Sequence, residues 1–263
     1  MILTIDVGNT NMVFGLFSGE ELAGTFRLRT SSDTTSDEIG ILACEYFSRF
    51  GFEPSAVEDV VIASVVPQIM YTLSSAMIKY FDREPIVIAN DADAGLRYGK
   101  GLENCTERLG ADRAVTAVAA VEKYGAPLIV MDFGTATTID ALDTEGRYLG
   151  GTIGAGLRVS MDALIQGTAM LPRVSLDLPP HVIGTNTAEQ IQAGVVAGYV
   201  GNMEYLITRM KQEIGERGVR VVATGGLCRL ISGQTNMIDI VDGGLTLDGL
   251  RLIYQRRKQG ATR

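Results

Sequence analysis

The chain has 263 residues, which at roughly 150 residues per domain is either one large domain or two small ones. With 46% hydrophobic and 21% charged residues it has an ordinary globular composition, and disorder is excluded as its main state. The net charge of −8 sets up a field that repels nucleic acid and anionic membranes. The only histidine, His181, excludes a metal site built from several histidines and leaves a hydrolytic triad a single possible centre.

The chain opens on a β-branched strand, Ile2 to Ile5, that runs into Asp6-Val7-Gly8-Asn9-Thr10-Asn11. This apolar run is far too short for a signal peptide, and no segment approaches the ~18 apolar residues of a membrane span. The three cysteines, Cys44, Cys105 and Cys228, form no C-x-x-C pair and fit a reducing cytoplasm. Strand-like runs over Met12 to Phe17 and Leu22 to Leu28 complete a β-meander, with a turn at Ser18-Gly19. Thr35 and Glu38 form a capping box that opens a helix closed by Gly51. A buried strand follows over Val60 to Val66, then a helix from Pro67 to about Tyr80 and a strand from Pro85 to Ala89. Residues 91–109 are polar, dotted with glycine and without period, and read as a substrate-side loop. Ala111 to Tyr124 is an alanine-rich helix joining the two halves.

The second half repeats the opening. Leu128 to Met131 leads into Asp132-Phe133-Gly134-Thr135-Ala136-Thr137-Thr138, again a strand ending in Asp-apolar-Gly, and a second meander follows through Thr138 to Leu142 and Tyr148 to Ile153. Beyond it, the pattern predicts a helix over Leu157 to Met170 and a long helix capped by Thr187 with Gln190 and running to about Ile214. Strands are expected over Val219 to Ala223 and Met237 to Val241, and a closing helix over Leu247 to Arg257. The fold class is therefore α/β, two mixed sheets flanked by helices, divided at 1–110 and 111–263.

Each Asp-x-Gly turn offers main-chain N–H groups, hydroxyl and amide donors, and a carboxylate able to hold hydrated Mg²⁺. A hairpin turn alone would also use Asn and Gly. The second copy favours a nucleotide held by two turns, and neither a Walker motif nor a G-x-G-x-x-G after the first strand is present. Thr224-Gly225-Gly226 is a third glycine turn, suited to an adenosine edge or to a plain strand-to-helix connection. The four glycines between Gly150 and Gly156 fit an anion at the following helix or a tight backbone crossing. Gly110-Ala111-Asp112-Arg113 places a carboxylate and a guanidinium at a helix start, either as a cap and dipole partner or as a base and an anion grip. His181 reads as a structural loop residue, and Arg256-Arg257-Lys258 as a solvated helix end.

In these ordered motifs, which span nearly the whole chain to Leu245-Thr246-Leu247-Asp248-Gly249-Leu250, the sequence resembles the type III pantothenate kinases of the actin, Hsp70 and hexokinase superfamily. The resemblance implies two ribonuclease-H-like lobes and transfer of the ATP γ-phosphoryl group to the primary hydroxyl of pantothenate. It makes Asp112 the proton acceptor and puts Gly110, Ala111, Arg113 and Thr187 in the pantothenate pocket. Asp6, Val7, Gly8, Asn9, Thr10, Asn11, Met12 and Val13 would cradle the phosphates with Mg²⁺, Asp6 being the candidate Mg²⁺ ligand. Thr135 matches an ATP contact, and Asp132 matches the ligand of a monovalent cation, K⁺ or NH₄⁺. A homodimer is implied, with the helix from Thr187 as its surface and Ile191, Val195, Tyr199 and Met203 as core or interface. One departure is visible. The family's Tyr-x-Asn-Pro stretch has no counterpart in residues 102–109, and whether Tyr98 replaces its tyrosine stays open. The alternatives are another small-molecule kinase, disfavoured by the short chain, and a non-catalytic nucleotide-binding regulator. The intact Asp6, Asp112, Arg113 and Asp132 favour the enzyme, with neither nucleic acid nor membrane as a partner.

Overall fold

The computed structural model describes residues 1–102 and 109–261, so Cys105 and most of the departing segment before Gly110 lie outside the described residues. Two compact units are formed, residues 1–97, 109–123 and 245–261 in the first and 98–102 and 124–244 in the second.

In the first unit, β1 (Ile2–Val7), β2 (Asn11–Ser18) and β3 (Glu21–Arg29) form the expected meander. With β4 (Asp59–Ser64) and β5 (Ile86–Ile88) they make one sheet in the order β3-β2-β1-β4-β5, β1 being antiparallel to β2 and parallel to β4. Alternation sets the two faces. Leu3, Ile5 and Val7 bury themselves among Ile39 and Phe47 of α1 (Ser36–Arg49) and Leu73 and Met77 of α2 (Pro67–Phe81). Both halves of the Thr35–Glu38 capping box are made, and Gly51 follows α1 at φ +79°. The supposed loop after β5 begins with a short helix, α3 (Asp91–Ala94), because Asn90 caps it and Gly95 ends it in the left-handed region.

The other face of this sheet takes α9 (Leu245–Ala261), which packs along β1, β2 and β4 and crosses α4 (Ala111–Tyr124). Both helices thus group with the first sheet, a difference from the division at residue 110. α9 also begins earlier and ends later than the expected 247–257. Its basic run is not simply solvated. Arg256 pairs with Glu122, Arg257 with Asp93 at 3.5 Å and Lys258 with Asp59 at 3.0 Å, because the helix lies against acidic neighbours along its polar flank.

The second unit repeats the plan with β6 (Leu128–Phe133), β7 (Ala136–Leu142), β8 (Tyr148–Ala155), β9 (Arg220–Thr224) and β10 (Ile240–Val241) in the order β8-β7-β6-β9-β10. The echo extends to irregularities: the register shifts at Leu16/Phe17 against β3 and at Ala141/Leu142 against β8. The second turn is one residue shorter, since Asp6 faces Val13 whereas Asp132 faces Thr138.

Several boundaries differ from the sequence expectation. α5 (Leu157–Gln166) stops short of Met170 because Gly167 takes its C-cap. The N-cap of α6 (Thr187–Gln192) is Asn186, whose side chain accepts from Glu189 N, rather than Thr187. Glu189 reaches back to Thr185 N at 2.8 Å, so the capping pair sits one residue earlier than expected. A π-helical segment, Ala193–Ala197, links α6 to α7 (Gly198–Ile214). The 237–241 strand shrinks to β10 because Asp239 spends its carboxylate on Val221 N, while Met237 and Ile238 pack into the core. α8 (Cys228–Ser232) follows the third glycine turn.

Candidate functional site

In the first unit the chemistry gathers at the carboxyl ends of β1 and β4, the end of an open α/β sheet where ligands bind. The Asp6–Val13 turn closes with Gly8 N donating to Asn11 O at 3.0 Å, and Thr30 pins it from β3's end through Oγ1 to Gly8 O at 2.7 Å. Asn9, Thr10 and Asn11 are exposed, and Asp6 Oδ1 is buried. Val7 and Met12 point into the core at 0% exposure, so only their main-chain groups are available to a ligand.

Val65 N donates to Val7 O at 3.1 Å, tying β4's end to β1's. A methyl group on Gly110 would stand 3.7 Å from Val65 Cγ1 and 2.8 Å from Asp112 Oδ1, which places the Asp112 carboxylate beside these strand ends. Gly110 accepts Ala114 N as the first turn of α4 forms, and Asp112 Oδ1 accepts Arg113 N at 2.7 Å. Burial pushes the Asp112 carboxyl above its ordinary value, outweighing the Arg113 N–H and guanidinium that act to lower it. A carboxylate of this kind suits a general base, because its proton affinity is raised toward that of its task. The Gly110–Arg113 motif and the Asp6 turn are thus brought to one unit.

Asp132, Thr135 and Thr187 belong to the second unit. Two glycines there, Gly225 and Gly156, permit close approaches. A Cβ on Gly225 would fall 2.2 Å from Asp132 Oδ1, and φ +88° makes that position doubly glycine-dependent. A Cβ on Gly156 would fall 2.3 Å from Gly134 O and 2.5 Å from Thr135 O, and Gly156 N donates to Thr135 O at 3.0 Å. Of the two readings of the 150–156 glycines, a backbone crossing thus holds at Gly156, and it buttresses the Gly134–Thr135 turn. Thr135 is exposed, as is Thr187 at the start of α6. Tyr98 packs edge-on against Tyr148, with centroids 5.8 Å apart, and Gly99 N donates to Tyr148 O, so this tyrosine belongs to the second unit. His181 is exposed in the loop before α6.

Sequence reasoning missed two contacts. Thr137 and Tyr199 share a hydrogen bond just beyond the second turn, and Thr116 joins Thr246 across α4 and α9. Single hydroxyls carry no spacing signal that would reveal such pairs. The second unit also carries an apolar groove of about 610 Å³, walled by Ile139, Ile153, Leu164, Val195, Tyr199 and Leu206. Ile191 and Met203 are buried at 5% and 3% exposure, so of the four expected helix residues Val195 and Tyr199 present the more open surface.

Among the described residues no group of three or more His, Cys, Asp or Glu side chains is disposed to hold a metal. The donors at hand, a carboxylate such as Asp6 beside exposed hydroxyl, amide and main-chain groups, fit a divalent ion that keeps water and phosphate oxygens as its other ligands.

Two mixed five-stranded sheets of like order, each with a glycine turn behind an aspartate on its first strand, define the actin- and hexokinase-like ATPase fold. Solved structures agree. A protein assigned to the Baf family of transcriptional activators from Campylobacter jejuni is similar at 19% identity and a TM-score of 0.62, over 98% of this chain and 99% of its own. One assigned as a 2-dehydro-3-deoxygalactonokinase from Sinorhizobium meliloti is 12% identical with a TM-score of 0.61, over 97% of this chain and 96% of its own. The ethanolamine utilization protein EutJ from Carboxydothermus hydrogenoformans, 13% identical over 95% of this chain and 89% of its own, has a TM-score of 0.53. Within this fold the chain belongs to the type III pantothenate kinase family, whose sequence model matches residues 2–209. It is accordingly a kinase of coenzyme A biosynthesis, a phosphotransferase that uses ATP and a divalent metal. No helix among the described residues is long and apolar enough to cross a membrane.

Proposed function

We propose that the protein transfers the γ-phosphoryl group of ATP to the primary hydroxyl of pantothenate, giving 4′-phosphopantothenate and ADP, the first step of coenzyme A synthesis. The observation that carries this reading is the partly buried Asp112 carboxylate at the start of α4, raised in pKa and set beside the strand ends that bear the Asp6 turn. Asp112 takes the hydroxyl proton as the oxygen attacks the γ-phosphorus and the bond to ADP breaks. Arg113 grips the substrate carboxylate, with Gly110 and Ala111 shaping the pocket, and Thr187 is a further proposed substrate contact. Main-chain groups of residues 6–13 hold phosphate oxygens, and Thr135 contacts the nucleotide. Asp6 would hold Mg²⁺, which would supply charge neutralisation on the transferring group. Asp132, with its carboxylate against Gly225, is the proposed ligand of K⁺ or NH₄⁺.

We also assign a homodimer through the groove face. Support comes from its apolar walls and from Ile153, 68% exposed beside it, with Val159 and Tyr205 at 41% and 59%. The net charge of −8 supports a partner set without nucleic acid. The test is ADP release with pantothenate as acceptor, in K⁺ and in Na⁺. Turnover that depends on pantothenate is expected in K⁺. Its absence would refute the substrate, and equal rates in Na⁺ would refute the cation role of Asp132.

A further inference from the structure

We propose that the C-terminal helix sets the position of the phosphoryl-transfer base, with Thr246 of α9 acting on Asp112 through Thr116. The proposal rests on Asp112 being that base. It concerns a part of the chain beyond residue 209, where the family match ends.

The hydrogen-bond direction is fixed by elementary chemistry. Thr116 Oγ1 lies 2.8 Å from the main-chain oxygen of Asp112, and a carbonyl cannot donate, so Thr116 spends its single hydroxyl proton there. Thr116 Oγ1 also lies 2.8 Å from Thr246 Oγ1, which must then be the donor. Two hydroxyls, 3% and 8% exposed, thus form a relay that begins on α9 and ends on the peptide unit of Asp112. Away from water, each lost donor leaves an acceptor without compensation.

The relay acts where a helix is loosest. The first turn of α4 carries N–H groups without intrahelical partners, and Asp112 itself satisfies one of them through Arg113 N. The relay adds a bond to the C=O side of the same residue from Thr116, one turn along α4, whose hydroxyl is in turn held from α9 by Thr246. The two helices are also held in register elsewhere. A Cβ on Gly249 would stand 2.8 Å from Val115 O and 2.9 Å from Ala119 Cβ, so the crossing is as close as two helices allow. Lys123 of α4 pairs at 2.7 Å with Asp248, which Arg251 also holds at 2.6 Å. A rigid partner helix can therefore transmit its position to the Asp112 peptide, and sub-ångström placement is what a base in phosphoryl transfer requires.

The experiment compares the full-length wild type with Thr246→Val, which keeps the shape and removes the donor, and Thr246→Ser, which keeps the donor. Pantothenate-dependent ADP release is measured across pH. For Thr246→Val, kcat is expected to fall by about 5- to 30-fold while KM for ATP stays within about twofold, as expected for a misplaced base at an intact nucleotide site. The acid limb of its kcat/KM profile should move toward the ordinary carboxylate range as Asp112 loosens into water. Thr246→Ser should recover both. If Thr246→Val fails to fold, Thr246→Ala is measured in its place. Unchanged kcat and pH profile, or a loss that Thr246→Ser does not recover, would overturn the positioning role alone. No pantothenate turnover in the wild type would overturn the kinase reading, and this role with it.

Discussion

Replacing Gly156 with alanine isolates the contribution of one backbone crossing to the second glycine turn. At φ −65° and ψ 156° the residue sits where alanine is comfortable, so the added methyl brings no backbone strain. Its cost is contact. The Cβ would stand 2.3 Å from Gly134 O, and real Cβ atoms do not come nearer than 3.0 Å, so the turn or helix α5 must retreat by at least 0.7 Å (3.0 minus 2.3). Neither partner is a flexible side-chain end, since both atoms met are main-chain oxygens of Gly134 and Thr135. Misplacement by ~1 Å costs on the order of 100-fold in a positioned reaction. We therefore expect kcat/KM for ATP to fall by about 10- to 100-fold, or about 1.4–2.7 kcal/mol. Overpacking should lower stability by about 1–3 kcal/mol, so folding must be checked by thermal melting. Gly233→Ala is the control, because its φ is −70° and its nearest neighbour lies at 3.7 Å. Wild-type ATP kinetics in folded Gly156→Ala would refute the argument that this crossing shapes the nucleotide turn.

Asp112→Asn should reduce kcat by about 100- to 10,000-fold and abolish the acid limb of the pH–rate profile. The wild-type rate should rise with pH through a pKa above the ordinary 3.8, because only the ionised carboxylate accepts a proton. The same burial penalises the charge. The folded protein holds this proton to higher pH than the unfolded chain, so stability falls as pH rises through that window, and Asp112→Asn should melt at a higher temperature than wild type at pH 7. For Asp59 the sign is opposite. Burial raises its pKa, but the hydrogen bonds from Tyr254 and Lys258 together hold it below the usual value, so the stability they confer is present above that range and lost as pH falls through the folded pKa. Asp59→Asn should accordingly speed amide exchange in α9 at pH 7 and leave it unchanged at strongly acid pH. Gly198→Arg tests the proposed assembly: nothing lies within 4 Å of the new Cβ, so the protomer should fold with added helix propensity, and light scattering should report dimers for the wild type and monomers for the variant.

Much of the fold was legible because its signals are local. The Thr35–Glu38 box, Pro67 at a helix start and the two Asp-x-Gly turns each depend on a few adjacent residues, and the structure forms them where those residues stand. Errors arose where neighbouring caps compete or where distant groups intervene. Asn186 outranked Thr187 as a cap because Glu189, and not Gln190, reaches back to bond Thr185. The 237–241 strand lost its first residues when the Asp239 side chain took a ladder donor. The basic run at the end of α9 found acidic partners at Asp59, Asp93 and Glu122, up to 199 residues away in sequence.

The site divides the same way. Asp6, Asp112 and Asp132 could be named from the strand-turn and helix-start patterns that carry them, because residue type and spacing are one-dimensional facts. Their chemistry was decided in three dimensions. The raised pKa of Asp112 comes from burial beside Val65, the Gly134–Thr135 turn is buttressed by Gly156, and α9 returns to the first sheet to grip the helix that bears Asp112. The length left open whether the chain forms one domain or two, and the 126-residue echo between Asp6 and Asp132 predicted two similar sheets. Which sheet each flanking helix would join was settled only by packing, since an apolar helix face fits either sheet until α9 seats along β1, β2 and β4 and its close crossing at Gly249 holds α4 to it.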